Sequence, residues 1–403
     1  MSARTFRELP PLGLYIHLPW CVRKCPYCDF NSHEAPETIP EIAYVDALLS
    51  DLADDMPLVW GRSLSSVFIG GGTPSLFSAN ALDHLLSGIR ALTALSPGTE
   101  ITMEANPGTV DAGRFKEYRA IGINRLSIGV QSLNDRALKV LGRIHDAADA
   151  RRAVDVAHKA GFDNINLDLM YGLPDQSLAE ARDDLAALIA LEPTHLSCYE
   201  LTLEPNTRFA AFPPELPADD TRFDMQAAHL ESLGAAGFAR YEISAFAREG
   251  RHCEHNLNYW GFGDYLGIGA GAHGKLSFAD SGDIKRRSKQ RHPKRYLESA
   301  DAKARLSQDT TLALEDTGLE FMMNALRLTD GVPSEWFEQR TGLSMAPWYV
   351  AIQRSVEDGL MQADLERLAA TDRGLDLLNT LLERFMPETT GPIRRVFPLK
   401  PVS

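Results

Sequence analysis

The sequence predicts an α/β fold, in which a partial (β/α)6 barrel of the TIM type precedes a smaller helical C-terminal domain with a winged-helix-like arrangement as one option. The length of 403 residues suits two or three domains of ordinary size. Six short β-rich segments lie before residue 203, and most of them are separated by segments with helical spacing. After about residue 310 only helical patterns remain.

The six β-rich segments define the predicted barrel. They are LYIHL (14–18), SVFIG (66–70), EITME (100–104), RLSIGV (125–130), NINLDLM (164–170) and HLSCYELT (195–202). Helical patterns between them include 79–93, 133–141, 146–160 and 177–191. Strands that return after a helix form right-handed parallel βαβ units, and six such units exceed what half of a Rossmann fold requires. A complete or partial barrel is therefore expected.

The second half of the chain is less regular. Residues 203–217 contain four prolines and are predicted to form a loop before a helix over 219–236 and a strand over 239–244. Residues 261–274 contain six glycines, which predict irregular backbone in close contact with its surroundings. The basic run at 285–295 has two interpretations, a solvated loop or an edge that binds phosphate or propionate anions.

The charge balance and the apolar pattern limit location and partners. Asp and Glu total 55 against 41 for Lys and Arg, so no global positive field attracts nucleic acid. The N-terminus lacks a long apolar segment, and no later stretch approaches the roughly 18 apolar residues of a membrane span. A cytoplasmic protein without an integral membrane segment is expected. Its expected domains are a barrel (1–250), a connecting region (251–305) and a helical C-terminal domain (306–403).

Three of the five cysteines form one motif. Cys21, Cys25 and Cys28 follow the first predicted strand at C-x3-C-x2-C spacing, which in a reducing compartment indicates a metal or redox centre rather than disulfides. Three thiolates can hold a [4Fe–4S] cluster and leave the fourth iron open to a chelating small molecule. The alternative, a zinc ion, needs a fourth ligand, for which His33 is the nearest candidate.

Glycine and polar residues follow the ends of several predicted strands. Gly70, Gly71 and Gly72 precede Thr73, and consecutive glycines either bring backbone groups close to a ligand or make a tight turn. Four more polar residues lie at or beyond later strand ends: Glu104, Gln131, Arg143 and Asp168. Because barrels of this type bind ligands at the carboxyl ends of their strands, these side chains are candidates for one site.

The cysteine motif resembles that of the radical S-adenosylmethionine (SAM) superfamily, whose cysteines hold the cluster while SAM chelates the open iron. The chain from about residue 12 to 385 is similar to the HemN/HemW family, which contains oxygen-independent coproporphyrinogen III oxidases and haem chaperones. This resemblance implies a radical SAM barrel whose SAM site contains Tyr15, Tyr27, Gly71, Gly72, Thr73, Glu104, Gln131, Arg143 and Asp168. Within that site it assigns the glycines to the methionyl amino group, the acidic side chains to the ribose and Arg143 to the SAM carboxylate.

Two features distinguish the branches of this family. The oxidases resemble C-x3-C-x2-C-x-C, whereas Asp29 and Phe30 follow Cys28 here, so the additional cysteine is absent. The segment HNLNYW at 255–260 matches the HNxxYW motif of the haem-chaperone branch. Both features favour the chaperone branch.

The HNxxYW motif is the predicted haem site. His255 offers an imidazole nitrogen for haem iron, and Tyr259 and Trp260 offer flat faces for a porphyrin. Two alternatives stay open: His255 is a hydrogen-bonded core residue, or the thiolate of Cys253 is the ligand.

The resemblance therefore implies a haem chaperone with a [4Fe–4S] cluster, SAM and haem as cofactors and with no assigned catalytic residue. Its expected partners are haem and haem-requiring acceptor proteins, while a homodimer and peripheral contact with membrane haem proteins are left open. The alternative function is oxidative decarboxylation of coproporphyrinogen III by radical SAM chemistry. A third interpretation is a different radical SAM enzyme or a nucleic-acid-binding module built on the C-terminal domain.

Overall fold

The parallel strands of the barrel form the centre of one large sheet. The computed structural model describes residues 4–109, 111–364 and 366–386. Within these residues the strands are β1 (Leu12–Leu18), β2 (Trp20–Cys21), β3 (His33–Glu34), β4 (Ser63–Gly71), β5 (Ala94–Ala105), β6 (Arg125–Gln131), β7 (Ile165–Tyr171), β8 (His195–Glu200), β9 (Ala239–Glu242), β10 (Ala245–Ala247), β11 (Asp264–Ile268), β12 (His273–Ser277), β13 (Ile284–Lys289), β14 (Leu306–Thr311), β15 (Val332–Pro333) and β16 (Arg367–Leu368).

Helices connect most of these strands. The α-helices in the same part of the chain are α1 (Glu41–Asp55), α2 (Ala79–Leu92), α3 (Ala112–Ala120), α4 (Asp135–Val140), α5 (Ala147–Lys159), α6 (Leu178–Ile189), α7 (Arg208–Ala211), α8 (Asp219–Ala235), α9 (Glu254–Trp260), α10 (Pro293–Leu297), α11 (Ala302–Arg305), α12 (Leu314–Ala325), α13 (Glu335–Thr341), α14 (Tyr349–Glu357), α15 (Asp372–Asp376) and α16 (Leu378–Glu383). Among them, no helix is long and apolar enough to cross a membrane.

The sheet has the strand order β14-β13-β12-β11-β1-β4-β5-β6-β7-β8-β10-β9. Strands β1, β4, β5, β6, β7 and β8 are parallel neighbours, as the six predicted units require. Strand β11 extends them in parallel beside β1, while β12 to β14 at one edge and β9 and β10 at the other are antiparallel. The predicted α/β partial barrel with a helical C-terminal region is confirmed.

Alternate residues of the barrel strands face either the main apolar core or the barrel interior. In β1 the residues Leu12, Leu14, Ile16 and Leu18 pack in the main apolar cluster, together with side chains of the surrounding helices. The alternate residues of a strand point to the opposite face, so Gly13, Tyr15 and His17 face the interior. They pair in register with Ser66, Phe68 and Gly70 of β4, respectively.

Local capping fixes where the connecting helices begin. The side chain of Ser177 accepts a hydrogen bond from the backbone N–H of Glu180, and the Glu180 carboxylate accepts one from the backbone N–H of Ser177, so α6 starts with a capping box. Asp146 and Asp149 form the same arrangement at α5. These caps satisfy backbone donors that a helix start leaves without partners.

The glycine-rich segment differs from its prediction. Residues 261–274 contain β11 and the start of β12, so much of this segment is regular sheet. Glycine is needed here because the backbones of β11 and β12 approach closely. A Cβ on Gly267 would lie 1.9 Å from the carbonyl oxygen of His273. The expectation of close contact was correct, and the expectation of irregular backbone was wrong for these strands.

The solvated-loop interpretation of the basic run is corrected, while the anion-binding interpretation stays a prediction. Its first part is β13 and its last part overlaps α10, so it is not a solvated loop. Lys289 is buried, and its Nζ lies 2.5 Å from Asp51 Oδ1 and 2.8 Å from Asp55 Oδ2. Arg287 Nη1 lies 2.7 Å from Asp55 Oδ1. Lys289 and Arg287 therefore neutralise carboxylates of α1, whereas Arg291, Lys294 and Arg295 of the same run are exposed.

Two further details depart from the sequence predictions. The loop predicted at 203–217 contains the short helix α7. The C-terminal region is not purely helical, because β15 and β16 form an antiparallel pair among its helices. This region has its own apolar cluster, which includes Phe321, Phe337 and Leu381, and Tyr259 and Trp260 of α9 belong to it.

Candidate functional site

The cysteine loop leaves the carboxyl end of β1. Cys21, Cys25 and Cys28 are partly buried and form no disulfide. Each thiol has a nearby polar group: Thr73 Oγ1 is 3.5 Å from Cys21 Sγ, Arg143 Nη1 is 3.7 Å from Cys25 Sγ, and Ser32 Oγ is 3.8 Å from Cys28 Sγ. The loop therefore carries all three sulfurs at the end of the barrel where ligands bind in this fold class.

Burial affects the chemistry of these thiols. It raises the pKa of Cys21 to about 11, although the hydrogen bond from Thr73 acts in the opposite direction. Burial also raises the pKa of Cys28. Because iron binds thiolates, loading of this loop with iron releases protons.

The glycine run fits tightly against the cysteine loop. A Cβ on Gly71, whose φ is +116°, would lie 2.6 Å from the ring of His17, and a Cβ on Gly72 would lie 2.6 Å from the carbonyl oxygen of Trp20. The N–H of Gly72 donates to Leu18 O at 2.8 Å, and that of Thr73 donates to Trp20 O at 2.8 Å. These hydrogen bonds attach the end of β4 to the start of the cysteine loop. The two close approaches leave no space for a side chain at Gly71 or Gly72.

Two carboxyl groups lie in β5 and β7, the strands on either side of β6. Glu104 Oε2 accepts the N–H of Gly71 at 2.9 Å, and burial raises the pKa of Glu104 to about 8, with the charge of Asp168 adding to the effect. Asp168 Oδ1 accepts a hydrogen bond from Asn166 Nδ2 at 2.8 Å. Burial raises the pKa of Asp168 to about 6 against the hydrogen bonds it accepts. Both carboxyls can bind hydroxyl groups of a ligand.

Arg143 joins the cysteine loop to the end of β6. Its Nη2 donates to Gly129 O at 2.7 Å, and its Nη1 lies 3.5 Å from the Tyr27 hydroxyl. Its Nε is buried and has no hydrogen-bond partner among the described residues. Since buried donors are normally paired, this guanidinium has capacity left for an acceptor such as a carboxylate.

Gln131 ends β6 with an uncommon backbone conformation. Its φ is 69°, in the left-handed region that residues other than glycine rarely adopt. Its Oε1 accepts a hydrogen bond from the Tyr199 hydroxyl at 2.7 Å. Backbone strain of this kind concentrates at binding sites, and here it holds the amide beside the end of β8.

Tyr15 lies inside the barrel below the glycine run. Its hydroxyl donates to His17 Nδ1 at 3.0 Å, because His17 Nε2 already donates to the carbonyl oxygen of Asn31 at 3.0 Å. Burial lowers the pKa of His17 to about 4, so this ring is neutral at pH 7. The ring of Tyr15 stacks on Phe68 with 6.2 Å between centroids.

The residues present fit an iron–sulfur cluster and SAM better than zinc. Three thiols and an unpaired guanidinium nitrogen suit a three-cysteine cluster and the carboxylate of a chelating ligand. The proposed fourth zinc ligand, His33, pairs through Nε2 with the carbonyl oxygen of Arg291 at 3.3 Å.

His255 lies far from the cysteine loop, at the other end of the barrel. It is 1% exposed, its Nδ1 is 2.8 Å from Ser66 Oγ, and its Nε2 is 2.9 Å from the Tyr259 hydroxyl. Burial lowers the pKa of His255 to about 3, so the ring is neutral. In this arrangement both nitrogens are occupied, and iron can reach either one only if α9 moves. Haem ligation by His255 therefore stays a prediction.

The neighbours of His255 are enclosed as well. Tyr259 and Trp260 are buried in the C-terminal apolar cluster, and the Trp260 ring is covered by the guanidinium of Arg327 at 4.4 Å. Cys253 is fully buried, its Sγ lies 3.5 Å from Glu100 Oε1, and burial raises its pKa to about 12. Neither the aromatic faces nor the rival thiol is open to a porphyrin in this structure.

Several residues of the barrel interior were not predicted from the sequence. His17, Phe68, Asn166 and Tyr199 contact the predicted site residues directly. The sequence feature that could have identified them is their alternation with core-facing apolar residues, which places them on the interior face of the strands. Apart from Tyr15, the residues predicted for the site were chosen as strand-end or loop positions, so this inner layer was missed.

Comparisons with known proteins agree with this arrangement. Family models match the radical SAM superfamily at residues 15–188 and the HemN C-terminal domain at residues 312–377. Heme chaperone HemW of Haemophilus influenzae is 49% identical over 385 residues, covering 94% of this chain and 99% of that protein. Heme chaperone HemW of Escherichia coli is 48% identical over 381 residues, covering 94% of this chain and 100% of that protein.

A solved structure shares the fold over nearly the whole chain. Coproporphyrinogen III oxidase (HemN) from Escherichia coli, described as a radical SAM enzyme, has a TM-score of 0.79 and 24% sequence identity. The match covers 94% of this chain and 90% of that chain. At this identity the likeness establishes the common fold.

Proposed function

The chain belongs to the HemW family of the radical SAM superfamily, and from this we propose that it is a haem chaperone, which binds haem and transfers it to haem-requiring acceptor proteins. The observation that carries the proposal is identity of up to 49% with curated heme chaperones over nearly their full length. The absence of a cysteine two residues beyond Cys28 and the presence of HNLNYW at 255–260 support the same assignment.

The cofactor site of the proposed chaperone is the loop and strand-end cluster. Cys21, Cys25 and Cys28 would hold the [4Fe–4S] cluster, which supplies a redox centre with one iron open to SAM. The unpaired Nε of Arg143 supports its assignment to the SAM carboxylate. Glu104 and Asp168 offer acceptors for ribose hydroxyls, and Asp168 keeps its orientation through Asn166.

The other residues assigned to the SAM site have different roles in this proposal. The N–H groups of Gly71 and Gly72 already donate to Glu104 and to Leu18 O. Carbonyl oxygens of this segment are therefore the proposed acceptors for the amino group of the ligand. Tyr15 and Tyr27 provide ring faces, and the left-handed backbone of Gln131 directs its amide into the site. Thr73, whose Oγ1 lies 3.5 Å from Cys21 Sγ, orients that thiol beside the proposed ligand site.

The proposal also covers the partners of the protein and its location in the cell. Haem and haem-requiring acceptor proteins are the proposed partners, in the cytoplasm, with a homodimer and peripheral contact with membrane haem proteins as further proposals. The net charge of -14 argues against nucleic acid as a partner. The proposed domains are the barrel (1–250), the connecting region (251–305) and the C-terminal domain (306–403).

A haem-transfer assay tests the function. Anaerobically purified protein is loaded with haem, freed of excess haem and mixed with an apo-cytochrome, and the absorption spectrum of the acceptor is followed. The proposal expects binding of haem and appearance of the holo-acceptor spectrum. Haem that stays with the protein, or that never binds, would contradict it.

The same preparation tests the oxidase alternative. Incubation with SAM, a reductant and coproporphyrinogen III should yield no protoporphyrinogen IX if the protein is a chaperone. Joint appearance of 5′-deoxyadenosine and protoporphyrinogen IX would replace the chaperone proposal with the oxidase. No feature of the site favours the oxidase over the chaperone.

A further inference from the structure

The HNxxYW helix α9 closes the barrel at the end opposite the cysteine loop. Gly13, Ser66 and Glu100 lie side by side near the starts of the interior faces of β1, β4 and β5. The cysteine loop and the glycine run leave the other ends of β1 and β4. Helix α9 therefore forms the floor of the barrel, below the SAM site.

Contacts from three strands hold α9 in this place. Glu100 accepts the backbone N–H groups of Glu254 at 3.1 Å and His255 at 3.2 Å. Ser66 Oγ is 2.8 Å from His255 Nδ1. A Cβ on Gly13 would lie 3.2 Å from His255 Cε1, so the imidazole rests directly against β1. These contacts fix the His255 ring inside the barrel.

A stack of aromatic rings leads from this floor toward the SAM site. The His255 ring stacks on Phe68 with 5.2 Å between centroids and an interplanar angle of 28°. Phe68 in turn stacks on Tyr15 at 6.2 Å and 24°. Phe68 also fills the space under Gly70, where a Cβ would lie 2.9 Å from Phe68 Cε1. The ring of Phe68 therefore lies between His255 and both Tyr15 and the glycine run.

We propose that His255 is a positioning residue for SAM: its ring supports Phe68, and Phe68 holds Tyr15 and the glycine run in the geometry that binds the ligand. This inference rests on the proposed function, which assigns Tyr15, Gly71 and Gly72 to SAM. It gives the HNxxYW motif a role in the closed barrel that needs no exposure of the imidazole.

Packing explains why the ring matters. Protein interiors are close-packed, so removal of the imidazole leaves a void that neighbouring side chains fill only in part. Phe68 is the ring stacked directly on that void, and a shift of Phe68 displaces Tyr15 above it. A ligand contacted by a shifted ring loses affinity even though no contact residue has changed.

SAM affinity of anaerobically reconstituted protein tests the proposal, measured by equilibrium dialysis with radiolabelled SAM. His255→Ala should weaken SAM binding roughly tenfold, the effect typical of losing a residue that orients a ligand-binding group. His255→Phe restores a stacking ring without the imidazole nitrogens and should return the affinity to within about twofold of wild type. Haem binding is measured on the same samples.

A matched control separates this role from general destabilisation. His229 is also buried, but it lies on α8 outside the barrel and its Nε2 pairs with Ala181 O at 3.1 Å. His229→Ala should leave SAM affinity unchanged. If His255→Ala does not fold, Phe68→Leu gives the same test, because it removes the supported ring and keeps both hydrogen bonds of His255.

The outcomes distinguish the inference from the proposed function. Unchanged SAM affinity in His255→Ala or in Phe68→Leu, equal losses in His255→Ala and His229→Ala, or failure of His255→Phe to restore binding would each overturn the positioning role. Wild-type protein that binds no SAM would overturn the cofactor assignment as well. Failure of wild-type protein to bind or transfer haem would overturn the chaperone function, with the SAM results deciding the positioning role separately.

Discussion

Individual side chains at the strand ends are held in states that differ from those in water. Glu104 is the main example, because burial raises its pKa to about 8 while its Oε2 accepts the Gly71 N–H. The sequence identified Glu104 as a polar residue at a strand end. It did not indicate the protonation state, which depends on the surrounding barrel interior.

The pKa of Glu104 predicts how stability of the iron-free protein varies with pH. The folded carboxyl keeps its proton up to about pH 8, whereas the unfolded one releases it near 4.5. This contribution to stability is complete below about pH 4.5 and is lost as the pH rises toward 8. Glu104→Gln keeps an oxygen for the Gly71 N–H and does not titrate. Urea unfolding at pH 5, 7 and 9 should therefore show the variant gaining stability over wild type with rising pH.

The control for this prediction is Glu117→Gln, which removes an exposed carboxyl on α3. It should not reproduce the trend. Parallel pH profiles for wild type and Glu104→Gln would show that Glu104 is not held protonated in the folded protein.

Gly72 provides a second prediction at a single position. Gly72→Ala should destabilise the protein by about 1–3 kcal/mol, the usual cost of overpacking, because the new Cβ would meet the carbonyl oxygen of Trp20 at 2.6 Å. The strained loop should also retain less iron after reconstitution. The control is Gly234→Ala in α8, where nothing lies within 4 Å and a helical alanine should add about 0.5–1 kcal/mol. Equal stability of the two variants would refute the packing argument.

At the level of secondary-structure elements, strands were predicted correctly where their own apolar residues mark the buried positions. The six barrel strands are rich in apolar and β-branched residues, and their positions were predicted to within a few residues, although β5 begins six residues before its predicted start. Strand β13 was missed because its KRRSK sequence is typical of a loop. Its partners, Asp51 and Asp55, lie more than 230 residues earlier, and no local pattern reveals them.

The ion pairs of β13 make a prediction at this scale. Lys289→Met should cost about 3–5 kcal/mol of unfolding free energy, since it leaves buried Asp51 and Asp55 without their shared cation. Lys294→Met is the control, because Lys294 is 76% exposed and its pair with Glu298 contributes about 0–1 kcal/mol. Chemical denaturation measures both. Similar small losses in the two variants would indicate that β13 does not depend on these pairs.

Over the whole molecule, the family and fold predictions are confirmed by the match to HemW relatives and by the shared fold with HemN. Short motifs sufficed because their spacing is characteristic and local. The burial of the HNxxYW helix was beyond sequence reasoning, since it depends on Ser66 and Glu100, which lie more than 150 residues before His255. The sequence identified the motif, and the tertiary contacts determine how it is used.

We propose above that one loop holds a three-cysteine cluster with an iron open to SAM, in a protein that also binds haem. Iron, inorganic sulfide and haem should be quantified on a single sample reconstituted without oxygen, with Cys21→Ala as the comparison. We expect about four irons and four sulfides per chain, together with bound haem, and loss of the cluster in the variant. Intact protein that carries zinc at the loop, or no iron and sulfide at all, would contradict it.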